Sequence, residues 1–227
     1  MRSQGHAPEP QPVTKRSKGM RLGRIRLLVT AFAVSSVVIW LAPLALGQQP
    51  AGLRPPSAFS SIEDRVARSA ALFSEAGKVI THPRCINCHP AGDSPLQGDD
   101  QHIHFPPAAR GAEGVGIAGA YCATCHAETN VAPLAAPHTS IPGHPRWQLA
   151  PVEMAWQGKS LGDICRQLID PKRNGERTLA EIGEHMAADD LVAWGWNPGV
   201  GRQPVPGTQQ QFGALIHSWI ETGAACP

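Results

Sequence analysis

The sequence predicts a mainly α fold in which short helices are joined by long loops. Three observations lead there. Apolar residues recur at steps of three and four in four separate stretches, none longer than about twenty residues, and no stretch alternates in the manner of a strand. The 227 residues include 23 Gly and 22 Pro, which break helices and favour turns. Only 5% of residues are aromatic, so the chain by itself makes a thin core.

The chain opens with a basic segment, residues 1–26, which holds seven of the 20 Lys and Arg and one of the 18 Asp and Glu. An apolar run from Leu27 to Leu46 follows, then the small-residue stretch Ala45-Leu46-Gly47. This pattern is an export signal. The run fits both a signal cleaved after about Gly47, giving a leader over 1–47, and a retained inner-membrane anchor at 27–46. In either case the residues after Gln48 face outward, which predicts a periplasmic protein, soluble or tethered. With the basic leader set aside, the exported residues carry a net charge of about −4, so nucleic-acid binding has no electrostatic support.

Residues 48–58, with Pro55-Pro56, read as a flexible tether, and 59–227 as one domain. Ser60 and Glu63 are spaced as a capping box, and Ile62, Val66, Ala70, Phe73, Ala76 and Ile80 predict a helix over about 60–80. From His82 to Trp147 no periodicity is sustained, and Pro, Gly, Asp and His are frequent; this region reads as loop with short helical turns. Further helices are predicted at Leu161–Leu168, at Leu179 to about Ala188, and at Thr208 to about Thr222, with a turn-rich stretch over 194–199.

The long loop contains Cys85-Ile86-Asn87-Cys88-His89 and Cys122-Ala123-Thr124-Cys125-His126. Both match Cys-x-x-Cys-His, the attachment signature of haem c. Two thiols three positions apart can each add to a vinyl group on one porphyrin edge, and the adjacent histidine is then carried under the iron as proximal ligand. Two covalent haems would also supply the apolar bulk that the chain lacks, giving a cytochrome c-like fold wrapped around them. A zinc site, a redox-active dithiol and ordinary disulfides are the competing readings. They are disfavoured because histidine follows both pairs and no βαβ pattern is present.

Cys165 and Cys226 remain. In an oxidising compartment they would most simply form a disulfide, the alternative being two buried thiols. The distal side of each iron has nine candidates after the leader: His82, His102, His104, His138, His144, His185, His217, Met154 and Met186. Met154 and His185 are favoured, with His104 next. Packing of the five exported tryptophans against porphyrin edges and plain core packing are equally good accounts of those residues.

The stretches His82-Pro83-Arg84-Cys85 to Asp93, Met154-Ala155-Trp156-Gln157-Gly158, Asp170-Pro171-Lys172-Arg173-Asn174-Gly175 and Gln211-Phe212-Gly213 to Cys226 resemble bacterial di-haem proteins labelled isoquinoline 1-oxidoreductase subunits. The resemblance spans about 60–227. It implies an electron-accepting partner of periplasmic molybdenum hydroxylases, that is, of a molybdopterin dehydrogenase. Where that family has methionine shortly before the second motif, this chain has Ala120-Tyr121, which removes a ligand from that place. Electron transfer between redox partner proteins is therefore the expected role. A small di-haem peroxidase is the alternative.

Overall fold

The computed structural model describes residues 52–135 and 138–227. They form a mainly helical fold of six α-helices with a few two-residue strands. Helix α1 spans Arg65–Ile80, and the Asp64 carboxylate caps it by accepting from Ala67 N at 2.7 Å. The helix thus starts later than the expected Ser60, because Ser60 ends a separate 3-10 turn over Pro56–Phe59 and its hydroxyl donates to Ser57 O. The buried face shifts accordingly. Ser69, Leu72, Phe73, Ala76, Val79 and Ile80 point inward, whereas Val66 is 64% exposed.

The expected tether is docked where it is described. Leu53 is buried, and Arg54 donates from its backbone N and its Nε to Glu75 at 3.0 and 2.9 Å. Lys78 adds a third bond to the same buried carboxylate. Residues 48–51 and the apolar run at 27–46 lie outside the described residues. Among the described residues no helix is long and apolar enough to cross a membrane.

Helices α3 (Leu161–Leu168), α4 (Leu179–Ala188), α5 (Asp190–Ala193) and α6 (Gln209–Glu221) complete the helical part. Each begins on a side-chain cap: Ser160, Thr178, Asp189 and Thr208. Thr178 with Glu181 and Thr208 with Gln211 form full capping boxes. Helices α1 and α4 both pack on α6, and α3 packs on α1. The Phe73 and Trp219 rings meet at 4.8 Å in the centre, both fully buried; burial of a side chain such as Phe73 contributes roughly 2 kcal/mol. Gly213 lets α4 and α6 approach closely, since a Cβ there would sit 2.5 Å from Ala187 Cβ.

Cys165 and Cys226 form the expected disulfide, with Cα atoms 5.6 Å apart, and it ties α3 to the C-terminal residues. Closing a loop of 61 residues stabilises a fold by on the order of 4 kcal/mol.

Between α1 and α3 the chain is largely irregular. Helix α2 (Pro83–Ile86) follows α1 at once, with proline in its first turn and His82 as cap. Strand β1 (Leu96–Gln97) pairs with β2 (His102–Ile103), and β3 (Gly116–Ile117) with β4 (Ala120–Tyr121). Elements of two residues are too short to show alternation in sequence. Arg110 is buried and holds these loops together, donating to the carbonyls of Pro90, Gly92 and Ala150.

Candidate functional site

The two Cys-x-x-Cys-His motifs form two sites. Cys85 lies in α2, and Cys88 and His89 follow on the turn that ends it, where Cys88 N and His89 N bond back to Cys85 O and Ile86 O. The start of α2 is fixed by Pro83 and His82, so the two thiols emerge from one local turn. Cys122 opens a 3-10 turn directly after β4, and Cys125 N and His126 N both bond to Cys122 O, at 3.1 and 2.9 Å. None of these four cysteines is in a disulfide.

The two histidines are held in the same way. His89 Nδ1 lies 2.7 Å from Met154 O, and the ring stacks on Trp156 at 3.7 Å with 6° between the planes. His126 Nδ1 lies 2.8 Å from Pro142 O, and the ring stacks on Trp147 at 4.8 Å and 16°. A carbonyl only accepts, so each Nδ1 carries the proton and each Nε2 keeps its lone pair. Burial pushes His89 down to about 4, against the bond to Met154, and pushes His126 down too, so both rings are neutral. Burial raises the Cys85 thiol to about 12 and the Cys88 thiol to about 11, so neither is a reactive thiolate. Each site thus presents two thiols outside any disulfide and one imidazole nitrogen free to bind a metal.

Cys85, Cys88 and His89 line a largely apolar cavity. Ile80 of α1, Ile182 of α4, Phe212 of α6 and Trp147 line it as well. Two buried donors in its wall, Arg84 Nε and Trp156 Nε1, have no hydrogen-bond partner among the described residues. Native interiors rarely leave such groups unpaired.

The second site is more open among the described residues. Cys125 is exposed, and the residues around the motif in the chain include Ile103, Phe105, Ile117, Tyr121, Val131, Leu134 and Ile141, all exposed to solvent.

Three of the favoured or nearby distal candidates reach the first cavity: His185, Met186 and Met154. His185 Nδ1 bonds to Asp189 Oδ2 at 3.0 Å, which leaves its Nε2 free. Asp189 also caps α5 and pairs with Arg146 at 2.9 Å, and Arg146 pairs in turn with Asp190. Met154 lines the cavity, and its carbonyl holds His89 at Nδ1. His104 lies at the second site, with its ring centre 6.0 Å from that of His126 and its Nδ1 on Pro106 O at 2.8 Å. The remaining candidates are elsewhere. His82 caps α2, His102 bonds to Asp100, His144 accepts from Arg146 N, and His138 and His217 are exposed.

The structure also assigns residues whose roles the sequence left open. One segment, 142–156, supports both histidines: Pro142 O and Trp147 hold His126, Met154 O and Trp156 hold His89, and Ala150 N bonds to Cys88 O at 3.1 Å. Its tryptophans were the only signal in the sequence, and they did not show which ring they would meet.

Among the described residues no three His, Cys, Asp or Glu side chains gather to hold a bare metal ion, so the two cysteine pairs do not combine into one cage. Comparison with protein-family models, with curated proteins and with solved structures finds no match to this chain.

Proposed function

We propose that this chain is an exported electron-transfer protein that holds two haem c groups, one on Cys85, Cys88 and His89 and one on Cys122, Cys125 and His126. The observation that carries the reading is the repeated setting of His89 and His126. In each, a backbone carbonyl takes the Nδ1 proton and a tryptophan braces the ring, so Nε2 is presented beside two free thiols. The rest of the donor set fits. The first cavity has an apolar lining of the kind a porphyrin needs, and its two unpaired donors suit the carboxylates that a haem carries. At the second site the exposed apolar residues offer a bed that a haem would cover.

When bound, the haem iron supplies a one-electron change between ferric and ferrous. The protein's part would be to hold each group through histidine nitrogens and to exclude water. His104 would be the second histidine of the second site, since its ring centre lies 6.0 Å from that of His126. His185 would be that of the first, since it lines the cavity and is oriented by Asp189. Met154 belongs behind His89, as its anchor.

A second histidine beside each motif supports electron transfer over the peroxidase reading, which would need an open position at one iron. The sequence resemblance supports an acceptor subunit of a molybdopterin dehydrogenase outside the cytoplasmic membrane. The test is intact mass with a pyridine haemochrome count on protein made with the haem-attachment machinery. Two covalent haems, both low-spin, are expected; any other count overturns the reading, and a high-spin haem with peroxide turnover replaces it with the peroxidase.

A further inference from the structure

Trp147 belongs to both sites. Its ring stacks on His126 at 4.8 Å with 16° between the planes, and the same residue lines the cavity of Cys85, Cys88 and His89. Among the described residues it is the one side chain that does both. Trp194, which lines that cavity too, meets Trp147 edge-on at 4.9 Å and is held by a bond from its Nε1 to Asn130 Oδ1 at 2.9 Å. Asn130 Oδ1 also accepts from Gly143 N, next to the carbonyl that anchors His126. The indole is thus fixed on one side by the ligand of the second site and on another by a ring of the first.

The backbone repeats the connection. From Trp147 the chain runs through Gln148, Leu149, Ala150 and Pro151 along the first cavity, and Ala150 N bonds to Cys88 O. A path from His126 to the first site therefore needs no solvent-filled gap. Electronic coupling falls steeply across empty space and far less across packed π-systems.

We infer that Trp147 is the bridge through which electrons pass between the two haem sites, an inference that rests on the function proposed above. Trp147 lends its orbitals to the transfer of a single electron from a ferrous to a ferric iron and is itself neither oxidised nor reduced. No proton and no further reactant takes part. Trp147 is in this sense a positioning and coupling residue, and not a ligand.

The test uses the full exported chain with both haems, reduced by a flash from a photoexcited ruthenium complex, with redistribution of the electron followed by absorbance. In the native protein redistribution is expected at a rate independent of protein concentration. A rate proportional to concentration, which marks exchange between molecules, overturns the bridge whatever the variants do. Trp147→Leu is expected to slow redistribution about tenfold, the scale of loss typical when an outer-shell partner is removed, and Trp147→Phe to restore most of it. Trp147→Phe keeps an aromatic ring against His126 and should retain two low-spin haems; a change of haem count or spin state in Trp147→Leu would show that Trp147 acts by holding His126 and would overturn the bridge. Equal rates in all three proteins overturn the inference, as does slowing in Trp147→Phe that matches Trp147→Leu. Fewer than two covalent haems in the native protein, seen by mass before any flash, sinks the underlying function and the bridge with it.

Discussion

The first site sits inside the helical fold, and the second sits on its loops. Cys85 and Cys88 follow directly on α1 and face side chains from α1, α4 and α6, whereas Cys122 and Cys125 follow a two-residue strand and have exposed apolar neighbours. Yet both histidines are held by the same two devices, a backbone carbonyl and a tryptophan. Orientation of the metal-binding nitrogen is thus built by the protein at both places. Enclosure is built by the protein only at the first, and at the second it is left to whatever the apolar surface receives.

If each site holds a haem as proposed, four variants probe this difference, taken from the largest expected effect to the smallest. Cys85→Ser with Cys88→Ser leaves an unfilled cavity among packed helices and should lower stability by about 5 kcal/mol, or more than about 10 °C in Tm, read by calorimetry; an unchanged Tm would mean that the helical core does not depend on the first haem. Loss of the clasp in Cys165→Ala with Cys226→Ala should cost about 4 kcal/mol. Because the disulfide lies in the helical part, the Soret signal of the first haem should broaden on warming before that of the second.

Cys122→Ser with Cys125→Ser should cost no more than about 2 kcal/mol overall. Faster hydrogen exchange is expected over 98–141 with α1, α4 and α6 unchanged; exchange rising evenly through the chain would show that the second site is as integral as the first. The smallest effect is expected for Asp189→Asn, which weakens the grip on His185. Carbon monoxide should then bind the first haem about tenfold more readily, with the second unaffected, and equal binding at both would place His185 elsewhere than on the first iron.

Much of the helical part was legible in the sequence. Helices α3, α4 and α6 lie within a residue or so of their expected bounds, since each pairs a strong cap with a clear apolar period. The start of α1 was less legible, because Ser60-Glu63 imitates a capping box while Asp64 supplies the cap. The docking of Leu53 and Arg54 could not be seen either, as it depends on a buried carboxylate 21 residues away. The thiols and histidines of both sites were legible because their chemistry demands fixed spacing within a single turn. Their supports were not: Pro142, Trp147, Met154 and Trp156 lie 16 or more residues from the rings they hold or stack against, and a carbonyl anchor leaves no mark on residue type.

The sequence by itself determined the local chemistry of this protein. Two Cys-x-x-Cys-His turns and the helix caps are properties of neighbouring residues, and neighbours stay close whatever the fold. Tertiary structure alone decided which of nine distal candidates stands at which site. It brought His185 into the first cavity and His104 beside His126, and it turned Met154 into an anchor. It also ran one segment behind both histidines, so that Trp147 touches the two sites at once. Contacts across a long loop depend on how that loop closes, and loop closure is set by packing of the whole chain and not by any short motif.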